Sequence, residues 1–297
     1  MARWQPKAPV KIGDVFHGLK EVREEAGESV EILVTAGNEE EAKELIGSLI
    51  SHPGEAKLFN FFRLTETIPA EVMEKISKAT CTLIFLKNES LLERKNLFLI
   101  TALSEQKRPF LVVLKGVKPA QKEVVLEKAK RVFQLPSSKV VFVTTDQNQG
   151  VTSLIRGILR QASGREVALA KNLTLFKEEA ANVVVKKTGL QNALISSMIF
   201  ISGPDMPILT LNQIKMVLKI AAIYNDELDL TRARELLAVL GGGFTFRGLA
   251  RRLLGMLPTL GVFIRGVVAY TGTEAIGQAA IKYFEYGLNE VAFSDFR

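Results

Sequence analysis

A chain of 297 residues corresponds to about two domains at roughly 150 residues each. Hydrophobic residues make up 47% and charged residues 24%, an ordinary globular composition that excludes a wholly disordered chain. The single cysteine, Cys81, excludes an internal disulfide and a multi-cysteine zinc site, and two histidines, His17 and His52, are too few for a histidine-built metal centre. The 39 basic residues against 32 acidic ones leave a net charge of +7, which suits an anionic membrane surface or a nucleic acid and establishes neither.

Residues 1–28 read as an arm. Ile12, Val15, Phe16, Leu19 and Val22 recur there at helical spacing, as in a short amphipathic helix that packs on the chain's own body or, as the alternative, anchors it to a membrane. The run VEILVT at 30–35 reads as a buried strand, and 39–50 as a helix with Ala42, Leu45, Ile46 and Leu49 on one face. The alternation continues with a strand at 57–64, a helix at 70–77, the strand CTLIFL at 81–86 and a helix at 91–105. The strand FLVVL at 110–114, a helix at 121–133, the strand KVVFVT at 139–144 and a helix at 151–161 complete it. Short, wholly apolar strands separated by helices indicate a mostly parallel sheet covered on both faces. Right-handed crossovers then make residues 29–163 a three-layer α/β domain.

At Gln161-Ala162-Ser163-Gly164-Arg165 the pattern changes, and 164–297 reads as all-helical. Residues 167–187 are helical, 190–201 are apolar, and Ser202-Gly203-Pro204-Asp205 interrupts them. Leu211, Ile214, Val217, Leu218 and Ala221 form one helical face. A helix at 231–240, with Asp229 or Thr231 as N-cap, ends at Gly241-Gly242-Gly243, and helices at 246–256 and 260–286 follow. The segment Met1-Ala2-Arg3-Trp4-Gln5-Pro6 lacks the apolar core of a secretory signal, so the expected location is cytoplasmic. No clean run of about 20 apolar residues is present, and 188–204 and 253–270 are read as buried or interfacial helices.

The strand, loop and helix at 30–50 stand where a nucleotide-binding protein places its phosphate loop, and Leu45-Ile46-Gly47-Ser48-Leu49 closes that helix. In element order and spacing, 29–163 resembles the translation-factor-related GTPases. In that family the loop reads G-x-x-x-x-G-K-[ST] and the helix ends Leu-Ile-Asn-x-Leu. Ungapped alignment on the helix end puts Ala36 and Glu41 at the glycine positions, Ala42 at the lysine and Lys43 at the Ser/Thr position. The resemblance then implies Asn-Lys-x-Asp after the strand at 110–114, where Lys115-Gly116-Val117-Lys118 stands, with Lys118 at the aspartate. It implies Ser-Ala after 140–143, where Thr144-Thr145 stands, and an Asp-x-x-Gly between Asn60 and Pro69 that has no counterpart. Glu39, Glu40 and Glu41 suit the positive end of a helix dipole themselves and would repel a triphosphate. Lost chemistry on preserved spacing indicates a pseudo-GTPase, with no nucleotide, metal or other cofactor expected.

In the second half, Pro204-x-x-Pro207, Gln213-x-x-Met216 and Ile220-Ala221-Ala222-Ile223-Tyr224 come first. Ala233-Arg234-Glu235-Leu236-Leu237, Gly241-Gly242 and Leu257-Pro258-x-x-Gly261 follow, and Thr271-Gly272-Thr273-Glu274-Ala275-Ile276-Gly277 and Tyr283-Phe284-Glu285-x-Gly287 close the set. On these residues 168–287 resembles the domain of unknown function catalogued as six-nine-seven, which stands behind GTPase domains in bacteria. Glu274 departs from the alanine that family typically has. The resemblance implies a helical, small-residue-rich domain associated with GTPases and often with membranes, and no catalysis. Gly255, Gly261, Gly266, Gly272 and Gly277 allow close helix approach. Arg247, Arg251 and Arg252, beside Leu253 and Leu254, form a candidate surface for a partner or for anionic headgroups, or simply solvate one helix face.

Cys81 in an apolar strand reads as an inert buried thiol. Neither histidine has a partner at metal-ligand spacing, no Gly-x-Ser-x-Gly elbow is present, and Asp226, Glu227 and Asp229 read as a helix-entry turn. Dispersed basic residues with few aromatics among them argue against nucleic acid. The leading expectation is a non-catalytic, GTPase-like interaction protein whose partner is a GTPase or a second copy, with peripheral membrane contact through the helical half. The alternatives are an atypical NTPase with a displaced phosphate site at Lys43 or Lys115, and a membrane-anchoring or remodelling module.

Overall fold

The computed structural model of the protein describes residues 12–65, 68–143, 147–198, 205–224 and 261–286. The helices expected at 231–240 and 246–256, and the acidic turn of Asp226, Glu227 and Asp229, lie outside the described residues. In chain order the elements begin with α1 (Ile12–Ala26), β1 (Ile32–Ala36), α2 (Glu39–Gly47), β2 (Phe59–Phe61), α3 (Ala70–Lys78), β3 (Cys81–Leu86) and α4 (Arg94–Glu105). They continue with β4 (Phe110–Lys115), α5 (Lys122–Phe133), β5 (Val140–Val143), α6 (Gln147–Gln161), α7 (Glu166–Asn172), α8 (Lys177–Met198), α9 (Asp205–Ile223) and α10 (Gly261–Tyr286). The first part is thus an α/β domain on a parallel sheet, and long helices follow it.

The five strands are all parallel, in the order β2-β1-β3-β4-β5. Cys81–Leu86 is buried along its whole length, and so is Phe110–Lys115 up to its last residue. Strands of this kind need cover on both faces. On one face Leu33, Ile84, Leu86, Phe110, Val112 and Leu114 pack with Ile76 of α3, Leu99 and Leu103 of α4, and Val125, Ala129 and Phe133 of α5. Each of these side chains except that of Ala129 contributes roughly 1.5–3 kcal/mol relative to exposure. On the other face α6 lies so close that a Cβ on Gly157 would stand 2.7 Å from Leu111 Cδ2 and 2.9 Å from Val141 Cγ2.

Several boundaries differ from those expected, each for a local reason. The strand expected at 57–64 is cut to Phe59–Phe61, because Pro53 opens a 3-10 turn, Pro53–Leu58, that runs into it. A second 3-10 turn, Asn88–Leu92, precedes α4, and the Asn96 side-chain amide donates to the Ser90 carbonyl at 2.8 Å to hold it. The single helix expected over 167–187 is instead α7, a 3-10 turn Thr174–Phe176 and α8. The Thr174 N–H, which a continuous helix would aim at the Ala170 carbonyl, donates to Glu55 Oε1 at 3.0 Å. Thr174 Oγ1 donates to the same oxygen at 2.7 Å, and Ser51 N–H donates to Glu55 Oε2 at 2.8 Å. Burial pushes the Glu55 pKa upward, but the Ser51 and Thr174 donors outweigh it and leave the carboxyl below its ordinary value.

The chain divides into two compact units, one of Glu28–Glu179 and one that groups α1 with the helices after Ala180. The α/β unit therefore runs past the change of pattern at 161–165 and includes α7. Gly164, at φ +94, makes the turn after α6, where the Glu166 carboxylate accepts its N–H at 3.1 Å. Arg165 then reaches back to Glu28 at 3.0 Å and donates to Thr80 Oγ1 at 3.2 Å.

In the helical unit, Leu19 and Val22 of α1 are buried, and Glu21 and Glu25 pair with Lys215 and Lys219 of α9, each at 2.7 Å. The helices α8 and α10 run antiparallel: Val185 meets Gly277, Gly189 meets Tyr270, and Ala193 and Ser197 meet Gly266. Between them and α9 sits a buried polar cluster. Asn192 donates to Thr273 Oγ1 at 2.9 Å and accepts from Asn212 at 2.8 Å, and Gln213 donates to Thr273 Oγ1 at 3.1 Å. Among the described residues no helix is long and apolar enough to cross a membrane.

Two consequences are measurable by urea unfolding. Glu55→Ala will destabilise the α/β unit by about 2–3 kcal/mol, because three donors lose an ionised acceptor. The Glu55 pKa is lowered on folding, so this contribution is complete above the unfolded value near 4.5 and fades as the pH falls through the folded one. The gap between the two proteins will therefore narrow in acid. Gly277→Leu will loosen α8 from α10, since even a Cβ there would stand 2.5 Å from Val185 Cγ2.

Candidate functional site

The carboxyl ends of β1, β3 and β4 lie side by side, and the loops that leave them carry the polar groups the strands cannot hold. Asn38 caps α2: its Oδ1 accepts from the Glu41 N–H at 3.4 Å, and its Nδ2 donates to Glu41 Oε1 at 2.9 Å. This reciprocal arrangement satisfies one open N–H of the first turn and orients the Glu41 side chain. Glu41 Oε1 also accepts from Lys87 Nζ, one residue past β3, at 3.1 Å. Lys115 Nζ, from the end of β4, stands 3.9 Å from Glu41 Oε2 and 3.7 Å from Glu44 Oε2. The Lys87 hydrogen bond, then the charges of Lys87 and Lys115 and the Asn38 amide, hold the Glu41 carboxyl below its ordinary pKa against slight desolvation.

The residues singled out in the sequence are distributed unevenly. Glu41 and Lys115 come together. Ala36 ends β1, and Ala42 is only 1% exposed, so the register of α2 turns an apolar face to the core where the motif would need a lysine. Lys43 pairs with Glu39 at 2.9 Å and Glu40 at 3.3 Å, which raise its pKa, and it lies 5.8 Å from the centre of the Phe61 ring. Lys118 is exposed at the start of a 3-10 turn, Pro119–Gln121. Thr144, Thr145, Arg247, Arg251 and Arg252 lie outside the described residues. Lys87 and Asn38 were not singled out. Their signal was positional: one follows an apolar strand, the other precedes an acidic helix start.

Beside the Glu41 cluster is a cleft of about 580 Å³ lined by Glu41, Lys87, Asn88, Glu89, Lys115, Gly116, Val117, Gln121 and Val125. It lies where ligands settle in open parallel sheets, outside the carboxyl ends of the strands and beside the point where strand order reverses, between β1 and β3. Its volume falls in the ordinary range for small-molecule sites.

Elsewhere, Cys81 is fully buried, and burial pushes its thiol up to about 12, which leaves no thiolate at neutral pH. His17 Nε2 contacts Glu21 at 3.0 Å on the exposed face of α1. Among the described residues no group of three His, Cys, Asp or Glu side chains is placed to hold a metal ion. No protein-family model matches the chain, and no curated protein matches it. Replacing the N-cap of α2, Asn38→Ala, will lower stability by about 1 kcal/mol, and Asn38→Asp will retain most of it, as read by urea unfolding.

Proposed function

We propose that this chain is a non-catalytic, GTPase-like interaction protein of the cytoplasm. On this reading its α/β domain descends from a translation-factor-related GTPase that has lost nucleotide binding, and its carboxyl edge meets a protein partner, a GTPase or a second copy. The helical domain, by its resemblance to the six-nine-seven domain, mediates self-association or peripheral attachment to a membrane.

One observation carries the proposal. Where a phosphate loop would present a glycine and a lysine, the start of α2 carries Glu41, whose carboxylate accepts from Asn38 and Lys87. A triphosphate approaching α2 would meet three carboxylates in its first turn, Glu39, Glu40 and Glu41. The NTPase alternative loses support at Lys43, whose ammonium is committed to Glu39 and Glu40. The alternating strand–helix order and the parallel sheet support the resemblance at the level of fold.

Titration of the full chain with a fluorescent GTP analogue and magnesium tests the reading. No saturable signal is expected through the micromolar range. Micromolar affinity overturns it and reopens the enzyme alternative.

A further inference from the structure

Helix α8 carries an apolar row on its outer side. Lys186, Leu190, Leu194 and Met198 stand four residues apart, and Leu190, Leu194 and Met198 are 57%, 53% and 76% exposed. On α10, Val267 is 49% exposed, and Glu274 follows it by two turns on the same stripe. The two rows share one side of the helix pair. On α8, Asn192 turns to α9 and Ala193 to Gly266, so Leu194 comes next, away from α9. On α10, Gly266 faces α8 and Thr273 joins the polar cluster, and Val267 and Glu274 each come one residue later. Because the helices are antiparallel, that one-residue step turns both rows the same way. Their heights match as well. Ala193 beside Gly266 sets Leu194 level with Val267, while Val185 beside Gly277 and Gly189 beside Tyr270 set Lys186 level with Glu274. Lys186 and Glu274 form no ion pair or hydrogen bond with any described residue.

From this face we infer that its partner is a second copy of the chain, associated about a two-fold axis parallel to α8 and α10. The inference rests on the self-association reading of the helical domain and names the surface that performs it. Such an axis lays α8 over the partner's α10 at unchanged height. Leu194 then meets the partner's Val267, and Lys186 meets the partner's Glu274, each contact occurring twice by symmetry. The apolar part of the face is covered by its like, and the two unpaired charges are matched. A two-fold axis across the helices would reverse the heights, lay Lys186 on the partner's Met198 and leave the charges unmatched. An anionic lipid surface repels Glu274 and gives it no fixed cation. The charge pattern therefore selects a second copy in the first orientation.

Sedimentation equilibrium of the full chain tests the inference, with circular dichroism to verify that each variant keeps its helices. A monomer–dimer equilibrium in the micromolar range is expected. Leu194→Glu should raise the dimer Kd roughly tenfold or more. Lys186→Glu and Glu274→Lys each set like charges together at two places and should each raise it roughly tenfold, and the double variant should return it to the original value. Lys186 is exposed, so its reversal reads the interface without disturbing the core. A monomer at every concentration overturns the inference together with the self-association reading, and if that monomer floats with phosphatidylglycerol vesicles while Leu194→Glu does not, the face meets lipid instead. A dimer unmoved by Leu194→Glu and by either charge reversal overturns this face and leaves self-association to another surface. A double variant as weak as the single reversals overturns the pairing of Lys186 with the partner's Glu274.

Discussion

Strands β3 and β4 have almost no solvent side. Each is buried along its run, so their buried side chains are apolar apart from Thr82, whose buried hydroxyl has no partner among the described residues, and helices must cover both faces. That constraint organises the α/β unit. It places α3, α4 and α5 over Leu33, Ile84 and Val112, and it brings α6 so close at Gly157 that no side chain fits there. It also confines charge to the strand ends. Lys87 and Lys115 are the first lysines past the apolar runs of β3 and β4, and neighbouring parallel strands deliver them to one edge.

At that edge the helix dipole of α2 calls for negative charge, and the chain supplies its own. A carboxylate in the first helical turn is a modest stabiliser in water. With a cap that orients it and a lysine bonded to it, it becomes a fixed counter-ion. The arrangement is exposed and screened by salt, so it adds little to global stability. Its effect is local: the first turn of α2 has its own negative charge, oriented by Asn38 and paired with Lys87. The cleft beside it has the buried Val117 and Val125 in its wall.

The helical unit follows another constraint. Its helices approach closely because Gly189, Gly266 and Gly277 remove side chains from the crossing points. Close approach buries polar groups as well, and Asn192, Asn212, Gln213 and Thr273 satisfy one another in a single cluster. Such a cluster favours one register of α8 against α9 and α10, since a slip of one residue would strand buried amides without partners. The ion pairs of α1 with Lys215 and Lys219 attach the start of the chain to the same helices.

Much of this was legible in the sequence. Hydrophobic period and strand length specify the alternation, the parallel sheet and the change to helices, because burial on two faces leaves a local signature in every strand. The acidic start of α2, with no phosphate-loop residues before it, was legible for the same reason: it depends on residues adjacent in the chain. The break between α7 and α8 was not, since it depends on Glu55, far away in sequence, capturing the Thr174 N–H. Nor was the meeting of Glu41 with Lys87 and Lys115, because those groups come from three segments far apart in the chain. The sequence by itself determined which segments form helices and strands and which motif chemistry is missing, through patterns that lie within each segment. Only the tertiary structure decided which charges meet and which polar atoms remain unsatisfied, because strand order, which no local pattern encodes, selects the neighbours.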